Sequence, residues 1–237
     1  MNEIDQETIN INGGDIKEYK FVEFFRKKLI TNSKGLSDSI IKTIKDYKKT
    51  ILVTTIQSPH NLYTQWSPND LCEMISKIFD ISKDMPKHLF IIKGKKGELN
   101  YLSKEMRDNL EKQHNIFIID SIKPRFLDKN QFEDLIHVSD LLISMSHTST
   151  TIWQFISKGK PAIGINQNHP PSFLRNYKFF EVKLDMLNQA VNYWLDMEKT
   201  KWDDICKNIS KKVNLGNGKG LQQVGIDLKN RINNAKA

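Results

Sequence analysis

Five short, almost purely apolar runs constrain the chain more than any other feature. They are Ile51-Leu52-Val53-Thr54-Thr55-Ile56, Leu89-Phe90-Ile91-Ile92, Ile116-Phe117-Ile118-Ile119, Leu141-Leu142-Ile143-Ser144 and Ala162-Ile163-Gly164-Ile165. Unbroken apolar runs of this length fit strands covered on both faces, as parallel strands are. Between them, apolar residues recur at three- and four-residue steps, the spacing of one helix face. Parallel strands need crossovers and helices fill them, so the alternation predicts an α/β fold with a doubly wound parallel sheet.

The intervening helices carry readable signals. A helix from Pro68 bears Leu71, Met74, Ile75, Ile78 and Phe79, with Ser67 as its cap and Pro68 at its first position. Leu99, Leu102, Met106 and Leu110 mark the next helix, and Phe132, Leu135 and Ile136 a shorter one. Phe179-Phe180-Glu181-Val182 reads as a short edge strand, followed by a helical face through Leu184, Leu187, Val191, Trp194 and Leu195. Two further helices close the chain, through Trp202, Ile205, Cys206 and Ile209 and then Leu221, Val224 and Leu228. Ahead of the first strand, residues 16–30 and a segment with Leu36, Ile40, Ile41 and Ile44 read as helices. The expected organisation is a helical lead over residues 1–49 and one α/β domain with C-terminal helices over residues 50–237.

Composition narrows the function classes. No apolar run approaches the roughly 20 residues that span a bilayer, and the acidic, polar start MNEIDQETININGGD is unlike a signal peptide. The expected place is the cytoplasm, peripheral to the inner face of the membrane at most. The two cysteines, Cys72 and Cys206, have no second Cys or His at ligand spacing and read as structural thiols. A net charge of +8 suits a nucleic-acid, membrane or phosphate-bearing partner, but the lysines are interleaved with acids as on solvated faces. No nucleic-acid recognition module is present, so none is expected as a partner.

The stretch Asp140–Ile165 reads as strand, polar turn, helix, Gly-Lys-Pro stop and next strand. Its turn holds Ser144, Ser146, His147, Thr148, Ser149, Thr150 and Thr151. A helix N-terminus presents unpaired N–H groups and partial positive charge, so hydroxyls there serve either as caps or as part of a phosphate site. In doubly wound sheets ligands bind beyond the carboxyl ends of the strands, which selects three more loops. One carries His60, an anion donor, a general base or, as a lone loop histidine more often is, a plain surface residue, and one is Lys93-Gly94-Lys95-Lys96-Gly97-Glu98, which lacks P-loop spacing. The third, Ser121-Ile122-Lys123-Pro124-Arg125, offers the paired donors of Arg125.

Ser139-Asp140 through Ser144, then Thr148-Ser149-Thr150-Thr151, Gln154 and Gly159-Lys160-Pro161-Ala162-Ile163 together resemble the donor-binding, C-terminal half of GT-B glycosyltransferases and related surface-polysaccharide biosynthesis proteins. Phe90-Ile91-Ile92-Lys93 followed by Glu98 is similar to a loop of the CDP-glycerol and capsule transferases. The resemblance covers about residues 50–196. It implies a Rossmann-like domain and a glycosyltransferase-type enzyme that takes a nucleotide-sugar as substrate, with no further cofactor. A nucleotide-sugar 2-epimerase and a noncatalytic nucleotide-sugar-binding subunit are the alternatives.

By that resemblance Ser146, Thr148, Ser149, Thr150 and Thr151 stabilise phosphate charge, Lys93, Lys95 and Arg125 neutralise it, and Gln154 orients the ribose. Gln154 stands where the family often has Glu, and Lys95-Lys96 replaces the family's His-Pro. His60 and His147 are the histidines available for catalysis, and no paired-carboxylate motif implies a metal. GT-B enzymes place an acceptor-binding domain ahead of this one, whereas only about fifty residues precede the first strand. The resemblance is to half an enzyme. Its expected partners are a glycan or lipid-linked acceptor and a chain supplying an acceptor domain, without which donor turnover is slow or absent.

Overall fold

The chain is described from a computed structural model over residues 43–55, 67–94, 97–119, 129–147, 149–166 and 172–212. The apolar runs form β1 (Lys49–Thr54), β2 (His88–Lys93), β3 (Ile116–Ile119), β4 (Leu141–Ser144) and β5 (Ala162–Ile165), joined by β6 (Glu181–Val182). All pair in parallel, in the order β3-β2-β1-β4-β5-β6. The sheet predicted from the alternation is therefore present. β1 begins at Lys49, where pairing with His88 of β2 starts.

Helix α1 (Pro68–Asp84) starts as its sequence requires: the Ser67 side chain accepts from Asp70 N–H while the Asp70 carboxylate accepts from Ser67 N–H, and Pro68 occupies the first turn. Leu71, Met74, Ile75, Ile78 and Ile81 form its buried face. The helix expected through Leu99 and Leu110 is instead a 3-10 turn, Glu98–Tyr101, followed by α2 (Lys104–Lys112). The break lies at Ser103, whose hydroxyl accepts from Met106 N–H at 3.1 Å and starts a new helix. Then follow α3 (Lys129–Val138), α4 (Thr150–Ser157), α5 (Leu187–Asp196) and α6 (Lys199–Lys212). The edge strand is shorter than its apolar run because Phe179 has φ 61, outside strand geometry. Leu184 falls in a 3-10 turn before α5. The leading helix at residues 16–30 and the closing one through Leu221 lie outside the described residues.

β1, β2 and β3 step outward in one direction; the chain then returns to lay β4 against the other side of β1 and steps outward again through β5 and β6. Right-handed crossovers place α1 and α2 on one face and α3 and α4 on the other. Ile51, Leu52, Val53, Phe90, Ile91, Leu142 and Ile143 are wholly buried between these layers, each worth about 1.5–3 kcal/mol against exposure. The reversal of direction between β1 and β4 opens a crevice beyond their C-terminal ends.

Two residues of the stop motif explain how α4 ends and β5 begins. Gly159 has φ 72, and its N–H and that of Lys160 donate to Ile156 and Phe155 carbonyls, a Schellman closure that favours glycine. Lys160 Nζ reaches across to donate to the carbonyls of Ile136 at 2.9 Å and Ser139 at 2.7 Å, capping the end of α3. Burial pulls its ammonium down to about 8.

Candidate functional site

A single register row crosses the sheet at its C-terminal rim: Ile119, Lys93, Thr54, Ser144, Gly164 and Glu181. Past β4 the chain turns sharply, held by Ser144: its hydroxyl donates to Ser146 carbonyl at 3.0 Å and accepts from Ser146 N–H at 3.3 Å. Ser149 N–H then donates to Ser146 carbonyl at 3.3 Å. Ser149 is the N-cap of α4, its Oγ accepting from Thr151 N–H at 3.3 Å. The capping role expected of this hydroxyl is thus present. It uses an acceptor lone pair and leaves the O–H free to donate to an anion.

The two candidate helix starts differ in charge. α1 opens with its own carboxylate, Asp70, bound back to the cap, whereas α4 has no acidic residue in its first turn. An anion is therefore repelled at α1 and favoured at α4. Gln154 lies one turn beyond Thr150 on the same helix side, and its Oε1 is buried with no hydrogen-bond partner. Thr150 is half-buried and Thr151 is 8% exposed.

His147 is 5% exposed, more enclosed than a surface loop residue. It lies directly over β5: a Cβ added at Gly164 would come within 2.5 Å of His147 Cα and 2.9 Å of Ile152 Cδ1. Glycine at position 164 is what lets the site turn and α4 settle this close to the sheet. Lys93 ends β2 with its ammonium 5.0 Å from the Phe132 ring centroid and 3.4 Å from Gly94 carbonyl. Ser149, Thr150, Thr151, Ser146, His147 and Gln154 are brought together, with Lys93 two strands away on the same rim. His60, Lys95, Arg125 and Thr148 lie outside the described residues.

No protein-family model matches the chain, and no curated protein matches it in sequence. Solved structures do match. The UDP-GlcNAc 2-epimerase of Methanocaldococcus jannaschii, in complex with UDP-GlcNAc and UDP, has a TM-score of 0.56 at 17% identity, over 81% of this chain and 48% of its own. MnaA of S. aureus, solved with UDP, has a TM-score of 0.55 at 14% identity over 82% and 48%. The C-terminal domain of the group 1 family glycosyl transferase LpcC of Francisella tularensis has a TM-score of 0.53 at 12% identity, over 73% of this chain and 92% of that domain. The fold is Rossmann-like, of the GT-B type.

At these identities the likeness is one of fold. The chain spans about half the length of the epimerases it matches. Within this GT-B-type sheet, the motif residues divide between two ends. Ser139, Asp140 and Lys160 work at the N-terminal rim, where Asp140 brackets Thr50 by accepting from its N–H at 2.9 Å and donating to its carbonyl at 2.8 Å. The hydroxyls and Gln154 work at the other. Among the described residues no group of three or more His, Cys, Asp or Glu is placed to hold a metal ion, and no helix is long and apolar enough to cross a membrane.

Sequence reasoning passed over Thr55, Gly164 and the burial of Glu98, which is 3% exposed. A signal for Thr55 was available: it is a second threonine directly after Thr54, at the point where the apolar run of β1 gives way at the C-terminal end of the sheet.

Proposed function

We propose that the chain is the nucleotide-sugar-binding half of a GT-B-type enzyme, with the diphosphate at the N-terminus of α4. The observation that carries this reading is the pairing of an acid-free, hydroxyl-lined helix start with Gln154, whose buried Oε1 has no partner in the protein. Backbone N–H groups and the Ser149 O–H serve the phosphate, and Gln154 accepts from a ribose hydroxyl. The UDP held by several of the similar structures supports a nucleotide in this crevice.

The reaction we favour is glycosyl transfer in surface-polysaccharide assembly, by substitution at the anomeric carbon with the nucleotide leaving. The fit to 92% of a glycosyl transferase C-terminal domain supports it. Lys93, Lys95 and Arg125 neutralise the leaving phosphate, and His60 and His147 are the histidines to test as bases. A second unit carrying the acceptor closes the cleft. Epimerisation at C2 of the sugar is the second reading, favoured by the 2-epimerases among the similar structures.

The test is a thermal-shift and calorimetric screen with UDP, UDP-GlcNAc, CDP, CMP, GDP and a short oligonucleotide. A ligand that binds only the folded state raises its apparent stability. Stabilisation by a nucleoside diphosphate and not by the oligonucleotide is expected; no response to any nucleotide would sink the reading. Incubation with UDP-GlcNAc then separates the chemistries: UDP release that requires an acceptor means transfer, and the C2 epimer without acceptor means epimerisation.

A further inference from the structure

The outermost strand, β6, turns a carboxylate toward the site face of the sheet. Glu181 pairs in register with Gly164 of β5, and paired residues of neighbouring parallel strands point to the same face. That is the face on which a Cβ at Gly164 would meet His147 Cα and Ile152 Cδ1. Neighbouring strands lie about 4.8 Å apart, so Glu181 stands one strand beyond His147 and the turn that leads into α4.

Three donors meet the two oxygens of Glu181. Asn166 Nδ2 donates to Oε1 at 2.6 Å, and Ser172 gives Oε2 both its N–H at 2.8 Å and its hydroxyl at 2.5 Å. Asn166 directly follows β5, and its own N–H donates to Val182 carbonyl at 2.8 Å. Ser172 is 5% exposed and caps the 3-10 turn Phe173–Asn176, its Oγ accepting from Leu174 N–H at 3.1 Å. Glu181 thus joins the chain leaving β5 to the chain returning toward β6, on both sides of residues 167–171. The sheet holds without it, because β5 and β6 already pair through their backbones. A half-buried carboxylate on the packed face is costly unless hydrogen-bonded, and here the bonds it makes all converge on the two ends of one connection at the ligand end of the sheet.

We propose that Glu181 is a positioning residue for the nucleotide-sugar site: by holding Asn166 and Ser172 together it fixes the border of the crevice on the β5–β6 side. It acts through those two residues and not by touching the ligand. The inference rests on the nucleotide-sugar reading, with the diphosphate at the start of α4. The clasp lies outside that point, toward the sheet edge, so it serves the part of the ligand beyond the diphosphate.

The experiment measures binding of UDP-GlcNAc and of inorganic pyrophosphate by calorimetry, with the full chain, Glu181→Ala, Asn166→Ala and the double variant, each below its melting temperature. Glu181→Ala weakens UDP-GlcNAc binding about tenfold, the size of one lost hydrogen bond, and leaves pyrophosphate binding unchanged. Asn166→Ala gives a similar loss, and the double variant loses no more than either single one, because the two residues act as a unit. Glu181→Gln keeps an acceptor for Ser172 and offers Asn166 an amide in place of a carboxylate oxygen, so it restores most of the UDP-GlcNAc affinity. If Glu181→Ala fails to fold, Asn166→Ala, which leaves the Ser172 bonds in place, carries the test with Glu181→Gln. Unchanged UDP-GlcNAc affinity in Asn166→Ala, additive losses, an equal loss for pyrophosphate, or a tenfold loss in Glu181→Gln overturns the assignment. A wild type that binds neither probe fails the nucleotide-sugar reading itself, whereas one that binds them with the variants unchanged fails only this assignment.

Discussion

The two rims of the sheet are built from the same strands and differ in how fully their buried polar side chains are paired within the protein. At the N-terminal rim, polar groups are spent on the protein's own backbone. Asn115 Nδ2 is shared among the carbonyls of Ser82 at 2.9 Å, Met85 at 3.1 Å and His88 at 3.0 Å, tying the end of α1 to the start of β2. Lys160 caps α3, Asp140 brackets Thr50, and Lys49 donates to Leu195 carbonyl. At the C-terminal rim, Thr55 Oγ1 is buried with its hydrogen-bonding capacity unused, as is Gln154 Oε1 on α4. The N-terminal rim has an exception of its own, His88 Nδ1. The contrast teaches that residues of one motif can be tied into the backbone at one end of a strand and leave buried polar atoms unpaired at the other, where the proposed nucleotide site lies.

The largest effect is expected where the two roles meet. Gly164→Ala forces a Cβ within 2.5 Å of His147 Cα, so backbone must move. Overpacking of this kind costs about 3 kcal/mol, and denaturant unfolding should show it together with weaker nucleotide binding. Unchanged nucleotide affinity in the folded variant would mean that the turn above β5 does not need its present position to bind.

Asn115→Ala should cost about 2 kcal/mol by leaving buried carbonyls without a donor. Nucleotide affinity of the folded fraction should stay at the wild-type value, because the change lies at the far rim. A loss of affinity comparable to that of a C-terminal rim variant would break the division.

Ser149→Ala sharpens the same contrast from the other side. Loss of the cap costs about 1 kcal/mol, and Ser149→Gly should restore most of that stability without restoring nucleotide affinity. Recovery of both by glycine would reduce Ser149 to a cap.

The smallest effect concerns Lys160. Its folded-state value of about 8 lies below the ordinary 10.5 of an unfolded lysine, so between those values the unfolded chain binds more protons. Stability contributed by this group therefore rises with pH across that window. Unfolding of wild type and Lys160→Met, compared from pH 8 to 10.5, should show the gap moving in favour of wild type as pH increases. A gap independent of pH would remove Lys160 from the buried set at the N-terminal rim.

Local chemistry was legible in the sequence wherever a structural decision depended on a few adjacent residues. Ser67-Pro68 announced the start of α1, Ser149 the start of α4, and Gly159 its end, because caps and positive φ act within one helical turn. The strands were legible because burial on both faces leaves no polar alternation, and their parallel pairing followed from the helices between them. Where competing local signals overlapped, the reading failed: the apolar spacing from Leu99 to Leu110 ran straight through the cap at Ser103.

Tertiary structure alone decided what those elements were for. Nothing near Lys160 in sequence says that it will cap α3 from 24 residues away, nor does the run Ala162-Ile163-Gly164-Ile165 say that His147 will rest on Gly164. The unpaired state of Thr55 Oγ1 and Gln154 Oε1 depends on every element packed around them. Propensity, capping and periodicity are properties of neighbouring residues and survive in the one-dimensional string. Whether a buried polar atom is satisfied is a property of three-dimensional proximity, fixed only when strands distant in sequence come into register.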